Sequence, residues 1–396
     1  MERSVAMTAA GSEPGTKDVA KAGVPSAPQV RVATFDDYEQ IATLQAEYER
    51  PIMSLERWKH LWVNNPAQKQ LKNGLPIGWV LERQENAGEA KKIVGYLGNI
   101  PLFCELGGQR ILACVAHAWV VDVHYRAYSL MLLDYYFSQK SVELFLNATV
   151  GAAGFESFGV FGSLRVPAGE WDRSAFWITN YQGFIRGWLE TKNIPLAKPL
   201  SYVLGIAPSI KDVFFNRSLR NANASAELQL CAEIDDRFDQ FWNELKVRNP
   251  NVLLGFRTRE TLEWHYGSAL RNGQAWIVTA GKEQIEAYGI FFRHDNENYD
   301  LKRLRLVDFQ ALDGSTTLLL PMLSWAFDKC RSTKIHMLEC IGFRSDKWKV
   351  IADAAPYERK LPCWLYFYKA RDKALAQKLA DPNVWNPSQF DGDASL

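Results

Sequence analysis

One stretch of the chain gathers groups able to hold and release protons: His117-Ala-Trp-Val-Val-Asp122-Val-His124-Tyr-Arg126-Ala-Tyr128-Ser129-Leu130-Met131. The apolar run ending at Val121 reads as a strand, Tyr125-Arg126 as a turn, and the residues from Ser129 as a helix start. An imidazole or a carboxylate near a strand end suits general acid–base work. Alternation puts residues 117, 119 and 121 on one face and 118, 120 and 122 on the other, so His117 and Asp122 should point to opposite faces. A lone His in an apolar strand is more often a satisfied core residue, and an Asp at a strand end more often caps a turn. Further along, Asp308 ends a strand, His336 and Glu339 sit three apart on another, and Arg303 and Arg305 share a face. Asp391-Gly-Asp393 has a spacing that suits a divalent cation, but its place in a polar terminus argues for solvated side chains.

Other chemistries are excluded by what is missing. The chain has no G-x-x-x-x-G-K-[ST], no G-x-G-x-x-G after a strand, no H-E-x-x-H and no G-x-S-x-G. Its six cysteines form no C-x-x-C pair, so buried reduced thiols are expected and no metal site. Lys+Arg 46 against Asp+Glu 45 leaves a net charge of +1 over 396 residues, with no basic field to gather nucleic acid or anionic membrane. The longest apolar run, Leu318 to Phe327, is far shorter than the ~20 residues that cross a bilayer. With no apolar leader before Val30, a cytoplasmic location is expected.

The elements that must position these residues recur in one order. Residues 1–30 read as a disordered tail. From Arg31 the chain shows helices, then strand-like runs at Ile77–Arg83, Ile93–Pro101 and Ile111–Val123, with Leu106-Gly-Gly-Gln109 as a hairpin signal. A helix (Ser129–Lys140), a buried strand (Val142–Val150) and a looser helix (Gly151–Leu164) follow. After a connector at 191–225 the order repeats, with helices at Asp235–Lys246 and Arg259–Ser268, three strands, a helix at Thr316–Lys329, then strands at Lys334–Cys340 and Trp364–Tyr368. Two domains, 31–190 and 226–380, and a polar tail at 381–396 are therefore expected.

The strand, turn and helix around Arg126 resemble the acyl-CoA-binding core of the GNAT acyltransferase superfamily, where an R/Q-x-x-G-x-G/A turn precedes the helix. Here the turn reads Arg126-Ala127-Tyr128-Ser129-Leu130-Met131, with Ser129 and Met131 at the family's glycine positions. Gly95–Pro101, Val142–Thr149, Phe158–Pro167 and the final Trp385–Asp393 are similar to further family elements. The second half resembles the family more faintly, through Leu304–Asp308 and Asp313-Gly-Ser-Thr316.

The resemblance implies an α+β fold of two tandem GNAT-like domains of bacterial type, each a mixed, mainly antiparallel sheet flanked by helices. It implies acetyl-CoA or another acyl-CoA as co-substrate, with no metal. Val121, Val123, Arg126, Ala127, Tyr128, Ser129 and Leu130 would bind it, their backbone N–H groups forming a nest for the diphosphate. A splayed strand pair would leave amides free for the pantetheine. The reaction implied is direct acyl transfer to an amine of a small acceptor, with His117, Asp122 or Glu156 as base and Tyr128 as acid. No nucleic-acid or membrane partner is expected, and a homodimer is compatible. The alternatives are a FemAB-like aminoacyl transferase and a catalytically degenerate GNAT-fold binding protein.

Overall fold

The computed structural model describes residues 27–84, 90–169, 171–191, 219, 227–361 and 365–396. The expected tail up to residue 26, nearly all of the connector at 191–225, Cys363 and Trp364 lie outside them.

In chain order the first half runs β1 (Gln29–Val32), α1 (Tyr38–Glu47), α2 (Leu55–Val63), α3 (Pro66–Gln70), β2 (Gly78–Arg83), β3 (Lys92–Leu106) and β4 (Gln109–Val121). Then come a 3₁₀ turn (Val123–Tyr128), α4 (Ser129–Phe137), β5 (Leu144–Val150), α5 (Ala152–Val160), β6 (Leu164–Arg165), β7 (Arg173–Ile178) and α6 (Tyr181–Thr191). The second half runs β8 (Leu228–Cys231), α7 (Arg237–Arg248), β9 (Leu254–Gly255), a helical segment from Arg259 to Arg271, β10 (Ala275–Ala280), β11 (Ala287–Arg293) and β12 (Arg303–Ala311). It continues with α8 (Leu319–Ser332), β13 (Met337–Ile341), α9 (Ser345–Ala354), β14 (Tyr357–Lys360), β15 (Leu365–Ala370) and α10 (Lys373–Leu379).

Local chemistry sets these boundaries. Ser54 caps α2 by accepting from the Arg57 N–H, and Asn65 caps α3 with Pro66 in the first turn. Gly107 and Gly108 both hold positive φ (63° and 77°), as a tight turn joining β3 to β4 needs. Leu132, Leu133 and Tyr136 of α4 are wholly buried against Val94, Leu97 and Phe145.

The two sheets repeat one plan. The first is ordered β1-β2-β3-β4-β5-β15-β6, with β9 added on β3, and the second β8-β10-β11-β12-β13-β7-β14. In each, a meander leads through a helix into a strand parallel to the last meander strand: β5 to β4, and β13 to β12. The sheets also trade a strand. β7, from the first half, pairs with β13, and β15, from the second half, pairs with β5. Each sheet thus contains a strand from the other half of the sequence.

The C-terminal segment differs from the solvated tail expected of it. Trp385, Ser388, Gln389, Phe390 and Ser395 are all buried. Trp385 and Phe390 supply apolar anchors, Trp385 Nε1 donates to the Leu379 carbonyl, and Asp391 closes a capping box with Ser388.

Candidate active site

Both parallel strand pairs splay. β4 and β5 are in register only at Ala113–Val115 with Leu144–Leu146, although β4 continues to Val121 and β5 to Val150. A bulge in β4 accompanies the parting: Tyr96 pairs with Val120 and Gly98 with His117, so two β4 residues face the single Leu97. Ala118, inside the bulge, holds φ 52°. The extra residue resets the alternation. His117 comes into phase with Val120, and therefore with Asp122, so the opposite-face expectation fails because it assumed an unbroken strand.

On the two strands that border the gap, several buried polar atoms have no hydrogen-bond partner among the described residues. They are His117 Nδ1 and Trp119 Nε1 on β4, and both side-chain amide atoms of Asn147 on β5. Buried polar atoms are normally satisfied, so each of these leaves hydrogen-bonding capacity unused beside the splay. The C-terminal segment crosses the same gap. Thr149 Oγ1 donates to both carboxylate oxygens of Asp393, at 3.0 and 3.1 Å, and Asp393 Oδ2 lies 3.7 Å from His117 Nδ1. The His117 and Asp393 side chains are about nine-tenths buried, at 12% and 10% exposure. Gly392 fits against β5 because a Cβ there would meet Ala148 Cβ at 2.4 Å.

The other sequence-predicted residues divide. Asp122 caps the 3₁₀ turn, its Oδ1 accepting from the His124 N–H at 2.8 Å. Tyr128 caps α4 and stacks loosely on Tyr125. Glu156 is exposed on α5, so only His117 of the four catalytic candidates is brought into the gap with a second ionisable group. Of the expected diphosphate nest, the Val123 and Ser129 donors are engaged within the chain. The Val123 N–H donates to Tyr48 Oη, the His124 N–H to Asp122 and the Tyr125 N–H to the Asp122 carbonyl. The Ser129 N–H donates to the Arg126 carbonyl. The segment closes into 3₁₀ turns over Val123–Tyr128, and Ser129 and Met131, at the family's glycine positions, follow in α4. Arg126, Ala127 and Leu130 are exposed, Ser129 and Val121 half-buried, and Met131 is 38% exposed.

The second sheet splays after Leu306 and Cys340, but there protein fills the space. Lys347 Nζ donates to the Phe309 carbonyl at 2.8 Å and to Asn386 Oδ1 at 2.9 Å, and Gln389 Nε2 reaches the Ile341 carbonyl at 3.4 Å. Asp308 is held by Arg257 through Nε and Nη2 at 2.9 and 3.1 Å, by Tyr288 Oη at 2.9 Å and by Ser388 Oγ at 2.8 Å. Burial works to raise the Asp308 carboxyl, but the Arg257 guanidinium overrides it and holds it below the usual carboxylate range. Burial pushes Lys347 down to about 8. Glu339 is likewise locked, by Arg305, Arg359 and Ser174. His336 accepts from the Lys302 N–H, and burial pushes its imidazole down to about 4.

Sequence reasoning missed Asp393, Thr149 and Asn147 as site residues. The available signal was the aromatic pair Trp385 and Phe390 inside an otherwise polar terminus, which predicts a segment that packs.

The fold as a whole has counterparts among solved structures. A GCN5-related N-acetyltransferase from Anabaena variabilis matches with a TM-score of 0.51 and 13% identity over 87% of this chain and 73% of its own. An N-myristoyltransferase from Saccharomyces cerevisiae, solved with myristoyl-CoA bound, matches at 0.54 and 12% identity over 89% of this chain and 80% of its own. This chain has the GNAT fold. A GCN5-related N-acetyltransferase from Kribbella flavida matches it at 0.50 and 10% identity, over 87% and 71%. No protein-family model and no curated protein matches the sequence. The GNAT likeness is therefore one of architecture, and these relations cover both halves. Among the described residues no group of three His, Cys, Asp or Glu side chains is placed to hold a metal, and no helix is long and apolar enough to cross a membrane.

Proposed function

We propose that this chain is an acyl-CoA-dependent N-acyltransferase whose reaction centre is the gap between β4 and β5. The observation that carries the reading is the asymmetry of the two splays. The second is bridged by Lys347 and Gln389, with Gln389 Oε1 the one atom of these two side chains lacking a partner, while the first borders four such atoms, at His117, Trp119 and Asn147, beside the ionisable pair His117 and Asp393. The fold neighbours are titled acetyl- and myristoyl-transferases, one with acyl-CoA bound, which supports the same donor class here.

In this reading an amine attacks the thioester carbonyl, a tetrahedral intermediate forms, and the C–S bond breaks to release the CoA thiolate. The amine loses a proton, which Asp393 or His117 accepts. Thr149 holds the Asp393 carboxylate through its hydroxyl and so fixes its direction. Strand amides of β4 beyond Val115 would meet the pantetheine. The diphosphate would be met by the exposed side chains of Arg126 and His124 on the turn.

The test is acetyl-CoA titrated into the full chain by calorimetry, followed by thiol release with an amine panel. Binding that weakens in Arg126→Glu, and amine-dependent thiol release, support the proposal. Absence of binding by the unmutated protein would sink it, leaving the degenerate binding protein as the better description.

A further inference from the structure

A cavity of about 290 Å³ lies between the two halves, bounded by α3 and β3 on one side and by β9 and the Arg259–Arg271 helical segment on the other. That size is near the lower end of small-ligand sites. The C-terminal segment forms part of its wall through Phe390 and Asp391, two residues before the Asp393 that enters the β4–β5 gap. Two residues of chain span only ~7 Å, so the cavity and the gap adjoin.

Its lining has a definite chemistry. Phe103, Phe256, Trp264 and Phe390 contribute aromatic surface, and the ionisable side chains other than His265 and the thiol of Cys104, which burial keeps protonated, are Asp239, Glu260 and Asp391. No Lys or Arg is among the described lining residues. His265 is no cation either, since burial pushes its imidazole down to about 3. Glu260 is exposed, Asp239 half-buried, and Asp391 Oδ1 fully buried. The two oxygens of Asp391 differ. Oδ2 accepts from Arg257 Nη2 at 3.0 Å and from the Ser388 N–H at 2.9 Å. Oδ1 has no hydrogen-bond partner among the described residues. It packs against Gly255, where a Cβ would come within 2.5 Å of it and 3.4 Å of Arg257 Nη1. Arg257 is shared between two carboxyl groups, Asp308 and Asp391, and burial together with the neighbouring Asp308 raises the Asp391 carboxyl above its usual range.

A buried carboxylate oxygen without a donor, under aromatic walls, is complementary to an ammonium on an apolar body. We infer that this cavity binds the acceptor, a small cationic amine with an aromatic or bulky apolar group, and that Asp391 Oδ1 holds its ammonium. This rests on the acyltransferase reading for the word acceptor, but not for the binding site.

The test uses the full chain without any acyl donor. Calorimetry with 2-phenylethylamine is compared with its neutral counterpart 2-phenylethanol at the same pH. The amine should bind at least tenfold more tightly. Asp391→Asn should erase the preference, and Gly255→Ala should weaken the amine at least tenfold. The amine–alcohol comparison on the unmutated protein stands even if either variant unfolds. Equal affinity for the two compounds, or no binding of the amine, overturns the inference. Because no thioester is present, amine binding by a protein that never releases thiol would refute the proposed reaction and keep the cavity assignment. Acyl transfer without the amine preference would do the reverse.

Discussion

At the scale of single residues, His117 and Asp393 are the pair on which the proposed chemistry turns. A positioned acid or base typically contributes roughly 10²- to 10⁴-fold in rate. His117→Ala and Asp393→Asn are each expected to reduce kcat within that range while leaving the melting temperature nearly unchanged, and the double variant should be little worse than the weaker single one. Thr149→Val should fall between, because it removes only the hydroxyl that orients the carboxylate. Steady-state kinetics with calorimetric melts alongside would show this; a large loss of stability would reassign the pair to structure. Arg257 makes the opposite case. Its guanidinium is fully buried between Asp308 and Asp391, and removing one partner of a buried pair costs about 3–5 kcal/mol. Arg257→Met should therefore lower the urea midpoint sharply.

Acid should act on the fold in two windows. Burial holds His265 neutral, its value pushed from 6.5 to about 3, while its Nε2 lies 3.1 Å from Ser395 Oγ in the C-terminal segment. The unfolded chain binds that proton more readily, so this contribution is complete above pH 6.5 and is lost as pH falls towards 3. Glu339 is held at about 2, burial being overridden by Arg305 and Arg359, so its contribution is complete above pH 4.5 and disappears only at lower pH. Urea unfolding should lose stability first between pH 6.5 and 4.5. His265→Gln should flatten that slope by about 1.4 kcal/mol per pH unit, one proton's worth. An unchanged slope would mean the imidazole is not kept neutral by the fold.

At the scale of elements, the bulge at Ala118 decides what the sequence could disclose. The meander, the Gly107-Gly108 turn, α4 and β5 were legible because hydrophobic period and turn chemistry act locally. The facing of His117 was not, because one inserted residue reverses the parity of everything before it and leaves no mark on composition. The phosphate turn misled for a related reason. Arg126 and a helix start at Ser129 are present, but the residues before that start, Val123–Tyr128, wind into a 3₁₀ turn that engages donors within the chain. Asp393 was hidden because its role depends on where the chain end is led, which the residues themselves do not encode locally. The bulge can be tested directly. A left-handed conformation costs a non-glycine residue ~1–2 kcal/mol. Ala118→Gly should therefore raise stability slightly and keep activity, whereas Ala118→Val should lower both, as read by urea midpoints and thiol release. A neutral valine substitution would mean that the strand does not need the positive φ of 52° found at this position.

At the scale of the molecule, the exchange of β7 and β15 makes the halves mutually dependent. Without β15, the Leu144–Val150 strand becomes an exposed edge with buried-type residues on both faces, since Leu144, Phe145, Leu146 and Ala148 are nearly inaccessible in the whole chain. Without β7, β13 loses its antiparallel neighbour, and Trp177 leaves a core in which it is wholly buried. The C-terminal segment adds a third tie, because it fills the second splay on its way to the first. Two independent domains would unfold in two steps and survive separation. An exchanged pair should instead show one urea transition by both tryptophan fluorescence and far-ultraviolet circular dichroism. Residues 27–191 expressed alone should aggregate, and should become soluble when 219–396 is produced in the same cell. Two resolved transitions, or a first half that folds unaided, would mean that the borrowed strand contributes little. The gap between β4 and β5 would then owe its shape to the first half alone, and Asp393 could not be essential to it.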